Sequence, residues 1–242
     1  MKEVKNFRSL PLIVLIPNLF TLLSLAIGAN AIRLAIDGNW EIAVGSIVVC
    51  ALLDGVDGRI ARILQVSSRF GAELDSLCDF VSFGIAPAMI LYLWIINSLD
   101  LEFKRLSWTI SIIFILCMAI RLARFNVSDS NEDNSDDQAM FFRGVPAPAG
   151  GLLLLFPLIL NFNIAKQLHI DMALYIPLVN LFSLIISFLL PSRIPTYSIK
   201  NISVKREFIW LVLLVFGILI IAVTLYPWYV LPIFGLCYLI SI

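Results

Sequence analysis

A single histidine, His169, occurs in the 242 residues. Triad catalysis needs an imidazole beside its nucleophile, and zinc hydrolase sites draw on several. One histidine, far along the chain from any acidic cluster, makes both poor expectations; its expected place is a surface or interfacial loop. The four cysteines, Cys50, Cys78, Cys117 and Cys237, are isolated in apolar stretches, and no CxxC pair occurs. They read as small buried hydrophobes, with neither a zinc knuckle nor a redox motif encoded. Charge is scarce as well, at 14% of residues, and 17 basic residues balance 17 acidic ones. Bulk charge therefore names no partner, and nucleic acid is not among those expected. No internal repeat and no Gly/Ser linker divides the chain, so residues 1–242 are expected to form one domain.

What the chain has in abundance is hydrocarbon. Hydrophobic residues make up 60% of it, and the mean hydropathy is +0.97. A soluble domain needs a more polar skin than that, so the composition predicts a multi-span, all-α membrane protein. At about 20 residues per crossing, about eight spans are expected, near 15–36, 41–64, 71–97, 107–125, 146–164, 171–190, 208–226 and 228–242. The last is short and weakened by Pro227 and Pro232. The basic lead-in Met1–Arg8 is read as part of a retained first helix, because the apolar stretch behind it runs well past a signal-peptide h-region. With the N-terminus in the cytosol, Lys2, Lys5, Arg8, Arg59, Arg62, Arg69, Arg121, Arg124, Arg143, Arg193, Lys200, Lys205 and Arg206 fall on the cytosolic side; Arg33, Lys104, Arg105 and Lys166 fall on the other. That asymmetry sets the orientation. The acidic stretch Val127–Gln138 reads as a solvated loop and carries little weight in topology.

Against this background Asp54, Asp57, Asp75 and Asp79 stand out. A carboxylate near a bilayer costs at least a few kcal/mol, and several like charges together cost more. Residues three or four apart share a helix face, so Asp54 and Asp57 lie on one stripe, as do Gly71, Asp75 and Asp79 on the next helix. A short connection, Ile63 to Phe70, is expected to bring the two stripes together in a helical hairpin. Hard oxygen donors in such a set suit Mg²⁺ or Mn²⁺, and two ions can clamp a phosphoryl group. Gly58, Ala61 and Gly71 leave room for a nucleotide against the backbone, and Arg62 offers a forked phosphate donor. Taken singly, the small residues also suit helix packing and the arginine suits snorkelling. Four aspartates have no packing use.

The pattern D-x2-D-G-x2-A-R-x8-G-x3-D-x3-D, running from Asp54 to Asp79, is the signature of the CDP-alcohol phosphotransferase family, and every signature position is filled. The runs Ser76–Ala88, Arg121–Asn126 and Phe142–Ala149, together with Pro17–Thr21, further resemble its phosphatidylserine synthase branch. The resemblance covers roughly residues 10–200, a six-helix family core, and is weaker over the C-terminal helix pair at about 208–242. It implies transfer of a phosphatidyl group from CDP-diacylglycerol to the hydroxyl of L-serine, releasing CMP. It implies a multi-pass inner-membrane homodimer with its active site facing the cytosol and, in each site, Mg²⁺ or Mn²⁺, two ions being expected. It assigns metal binding to Asp54, Asp57, Asp75 and Asp79, and the role of general base to Asp79. Gly58, Ala61, Arg62 and Gly71 are expected at the CDP moiety.

Serine is a zwitterion and needs contacts of its own. Arg121 and Arg124, three apart at the cytosolic end of the fourth span, are candidates for its carboxylate or for the moving phosphate, with Asn126 and Arg143 behind them. Anionic-lipid contact at the helix end explains these arginines equally well. Two other functions stay open. The same chemistry with glycerol 3-phosphate or inositol as acceptor, or with an ether-linked lipid as donor, fits the same residues. A metal-ion transporter also uses intramembrane carboxylates, but these aspartates cluster at one side and line no path.

Overall fold

The computed structural model describes residues 16–63, 69–97, 101–129, 141–143, 145–168, 172–192, 195–197, 221–222 and 225–241, with side chains described for fewer of them. The lead-in Met1–Arg8, residues 64–68 of the connection, most of the acidic loop, His169 and nearly all of the expected span 208–226 lie outside the described residues.

A hairpin of two helices comes first: α1 (Ile16–Ile36) and α2 (Trp40–Ile63). The turn between them is fixed by Gly38, whose φ of 78° is open to glycine at little cost. Asn39 N–H donates to Leu34 O at 2.9 Å and Gly38 N–H to Ala35 O at 3.1 Å, the paired bonds of a Schellman cap. Asn39 O then accepts from Ala43 N–H at 2.9 Å and starts α2. The facing sides carry small residues, Ala31 and Ala35 against Ala43 and Val44, all fully buried, so the backbones approach closely.

The third expected span is a compound helix. It comprises α3 (Arg69–Asp79), a π-helical segment (Phe80–Ile85) and α4 (Ala86–Ile96). In the wide segment Ala86 N–H reaches Val81 O, five residues back. Pro87 is the local cause. It has no N–H to give to the carbonyl of Phe83, and its ring pushes that carbonyl aside, so the helix widens instead of breaking. The segment is clamped on both sides. A Cβ on Gly28 of α1 would stand 2.7 Å from Ser82 Oγ, and one on Gly151 would stand 2.9 Å from Phe83 O. Ser82 Oγ and Cys50 Sγ both donate to Ser24 O, at 3.3 and 3.2 Å, which ties α1, α2 and the π segment at one point.

The rest closes around this centre. Helix α5 (Leu101–Asp129) supplies Phe114 and Met118 to the core. Helices α6 (Ala147–Leu154) and α7 (Phe156–Leu168) form the fifth expected span, with a break at Leu155. Helix α8 (Met172–Leu189) packs on α5, where buried Ser107 Oγ donates to Asn180 Oδ1 at 3.1 Å. Two three-residue strands, β1 (Phe141–Arg143) and β2 (Pro195–Tyr197), pair antiparallel, with Phe142 opposite Thr196, and are the one addition to an otherwise helical fold among the described residues. The last helix, α9 (Pro227–Ser241), docks on α7, with Trp228 edge-on to Phe162 at 4.8 Å.

Among the described residues, three helical stretches are long and apolar enough to cross a membrane: Asn18–Ile36, Phe70–Ile96 and Lys104–Val127. Ile176–Leu189 and Pro227–Ile240 are apolar but shorter. Helix α2 has the length, and Glu41, Asp54, Asp57, Arg59 and Arg62 all lie on it. Large apolar side chains face outward on α1, α5 and α8, for example Leu19, Leu116 and Leu178, as lipid-facing surfaces require.

Gly151→Val places its side chain against the Phe83 backbone and is expected to cost about 1–3 kcal/mol. Gly45→Ala, where nothing lies within 4 Å, gains about 1 kcal/mol from helix propensity. Thermal unfolding in detergent checks both; equal midpoints would remove the clamp.

Candidate metal and phosphate site

Asp54 lies on α2, and Asp75 and Asp79 lie one turn apart on α3. One carboxylate oxygen from each falls within 4.8 Å of the others, and all three side chains are half-buried. Helices α2 and α3 both pack against α1, so the carboxylates meet over a shared neighbour whatever the path of residues 64–68. Asp79 is the last residue of α3, and the π segment begins at the next position. The wide turn therefore starts directly after the last carboxylate of the cluster.

Donors of this kind fit one class of ligand. Carboxylate oxygens alone, with no sulfur or imidazole, select hard divalent cations over zinc or copper. Three of them at this spacing are within reach of one shared ion. Asp57, Gly58, Ala61 and Arg62 continue helix α2 toward its C-terminal end, and their side chains lie outside the described residues. Gly71 sits half-buried in the first turns of α3, on the stripe of Asp75 and Asp79.

A cation stands beside the cluster. Arg121 of α5 lies within electrostatic range of Asp79 and Asp54. Its Nε donates to Val145 O at 2.5 Å, just ahead of α6, which fixes the guanidinium in place. Its Nη1 is buried and has no hydrogen-bond partner among the described residues. A buried forked donor with an unused arm beside carboxylates is arranged for an anion that arrives with its own cations, as a phosphate does.

The other acceptor-side candidates divide. Asn126, five residues beyond Arg121 on α5, accepts from Ser76 Oγ at 2.9 Å through Oδ1, so its amide N–H₂ is not part of that bond. Ser76 sits between two aspartates of the cluster, so this bond ties α5 to the site helix. Arg124 is exposed and donates from Nη1 to Pro191 O at 2.5 Å, which secures the end of α8. Arg143 is in β1, opposite Pro195, with its side chain outside the described residues.

Two contributors escaped the sequence. Ser76 carries no signal of its own beyond its position between Asp75 and Asp79. Tyr238, on α9, lies within electrostatic range of Arg121, an approach across the fold that no local pattern encodes.

Replacing Asp54, Asp75 or Asp79 singly by Asn is expected to weaken Mn²⁺ binding by at least about tenfold. Electron paramagnetic resonance titration of free Mn²⁺ reads it; unchanged binding in all three variants would dissolve the metal site.

Comparison with known sequences agrees with the geometry. Residues 14–233 match the family described as CDP-alcohol phosphatidyltransferase. A CDP-diacylglycerol–serine O-phosphatidyltransferase of Mycobacterium leprae is 32% identical over 228 residues, covering 94% of this chain and 73% of the relative. Its namesake in Mycobacterium bovis is 36% identical over 152 residues, covering 63% of this chain and 51% of the relative. One from Helicobacter pylori is 38% identical over 147 residues, 61% of this chain and 58% of the relative. The match thus spans about half the length of the Mycobacterium bovis protein.

Proposed function

Because this chain belongs to the CDP-alcohol phosphatidyltransferase family, we propose that it moves a phosphatidyl group from CDP-diacylglycerol to the hydroxyl of L-serine, giving phosphatidylserine and CMP. The observation that carries this is the convergence of Asp54, Asp75 and Asp79 within 4.8 Å, inside the family signature. Similarity to relatives named as serine O-phosphatidyltransferases supports serine over inositol or glycerol 3-phosphate.

The division of labour follows from the residues. Asp54, Asp75 and Asp79, with Asp57, would hold Mg²⁺ or Mn²⁺. Bound there, such an ion neutralises the pyrophosphate and stabilises CMP as it leaves. Arg121 offers its unused Nη1 to a phosphate oxygen, and Arg62 adds a second forked donor from α2. Gly58, Ala61 and Gly71 keep side-chain bulk away from the cytidine. Asp79 accepts the proton of the serine hydroxyl as its oxygen attacks phosphorus; the new P–O bond forms while the bond to CMP breaks. No enzyme-bound lipid intermediate is needed. We assign the serine carboxylate to the N–H₂ of Asn126, held by Ser76, with Arg121 beside it.

The placement of Lys and Arg along the sequence supports a cytosolic opening, where nucleotides and divalent ions are at hand. About eight crossings in one domain, and a homodimer, complete the reading on the family resemblance.

Purified protein with CDP-diacylglycerol and Mn²⁺ or Mg²⁺ is offered serine, inositol, glycerol and glycerol 3-phosphate side by side. CMP release with serine alone is expected, and its loss in chelator. At saturating Mn²⁺, which offsets the weaker metal site, Asp79→Asn should lower kcat by about 10²–10⁴-fold while leaving CDP-lipid binding largely intact. Asn126→Ala should raise the serine KM by roughly tenfold. Preference for another acceptor, or near-normal turnover of Asp79→Asn, overturns the respective assignment.

A further inference from the structure

Between α9 and the α6–α7 pair lies a cavity of about 230 Å³, walled by Ala149, Leu153, Phe156, Leu231, Phe234 and Tyr238. Apart from the phenol, the walls are hydrocarbon. Water would find no partners in such a space, whereas apolar cavities of about 150 Å³ take up a molecule the size of benzene. Room therefore exists for a run of methylenes. Among the described residues Phe234, at the rim of the cavity, is 44% exposed.

The cavity and the aspartate cluster are linked through Arg121. Arg121 is held by Val145 O, and Val145 leads directly into α6, whose Ala149 lines the cavity one turn on. From the other side Tyr238, also lining the cavity, lies within electrostatic range of Arg121. Arg121 in turn lies within range of Asp79 and Asp54. A single guanidinium thus stands between an apolar chamber and a phosphate-type site. A molecule spanning both must be hydrocarbon at one end and anionic at the other.

We propose that this cavity receives one hydrocarbon chain of the nucleotide-linked lipid whose phosphates lie at the aspartates, which makes α9 part of the donor-lipid site. The proposal rests on the donor reading above. A chain passing from bilayer to cavity goes from one apolar medium to another, so little hydrophobic free energy is gained. Close packing and shape decide the fit instead. Chain selection is therefore sensitive to bulk added to the walls.

The test uses the full chain in detergent and a CDP-diacylglycerol bearing a diazirine midway along one acyl chain. Photolabelled peptides are mapped by mass spectrometry, and a phosphatidylcholine with the same chain is run in parallel. Labelling around Phe156 or Leu231–Phe234 by the CDP-lipid, suppressed by unlabelled CDP-lipid and absent with phosphatidylcholine, is expected. Leu231→Trp and Leu152→Trp, both residues lining the cavity and each variant judged only if its unfolding midpoint matches the unaltered protein, should cut that labelling roughly tenfold. They should also raise the ratio of KM for dioleoyl over dibutyroyl donor by roughly tenfold. Equal labelling by phosphatidylcholine assigns the cavity to ordinary bilayer lipid and overturns the proposal, as does labelling indifferent to both substitutions. CMP release from the dibutyroyl donor is measured separately. Its presence keeps the donor reading even when the cavity fails, and its absence with every acceptor removes both.

Discussion

Three carboxylates gathered within 4.8 Å repel one another, and the rest of the structure answers to that repulsion. At an effective dielectric of about 20 each ionised pair costs at least about 3 kcal/mol. The fold offsets this with packing that is indifferent to charge. Ser24 O accepts from Ser82 and Cys50 together. Gly28 lets the π segment lie against α1, and Gly151 lets it lie against α6. The carboxylates are thus held largely by neutral packing, with Arg121 the charged group beside them, and a divalent cation bound there would relieve the repulsion that remains.

Arg121 is the second half of the same arrangement. Its Nε is committed to Val145 O and its Nη1 is not committed within the described protein. One contact fixes the side chain, and the other arm is the one the proposed phosphate contact uses. Arg124, three residues on, shows the contrast: its hydrogen bond to Pro191 O joins α5 to the end of α8. Two arginines on one helix face, equivalent in sequence, divide into a half-buried neighbour of the aspartates and an exposed strut because their depths differ.

Much of this could be read in the chain before folding was considered. The fourfold spacing of Asp75 and Asp79 on a helix, and the stripe carrying Asp54, needed only helical geometry. Boundaries came within a few residues: α2, expected at 41–64, runs Trp40–Ile63. The third span, expected as one continuous helix over 71–97, proves to be three segments. A run in which nearly every position is apolar has no periodicity in which a slipped phase could register, and Gly84 and Pro87 were its only marks. The approach of Tyr238 to Arg121 is tertiary, set by how α9 docks on α7 through Trp228 and Phe162. The β1–β2 pairing is too short to carry an alternating pattern.

The π segment immediately after Asp79 has a consequence for how such chains can change length. Each residue of an α-helix turns the axis by about 100°. Six residues in the wide winding turn through nearly the same angle as five in the ordinary one, so removing one residue from 80–85 and restoring ordinary winding would leave the faces of α4 close to the partners they now meet. The wide turn is thus the one place in this compound helix where a residue can be lost without turning α4 away from α1 and α6, whereas a single deletion within α3 or α4 would rotate one half against the other.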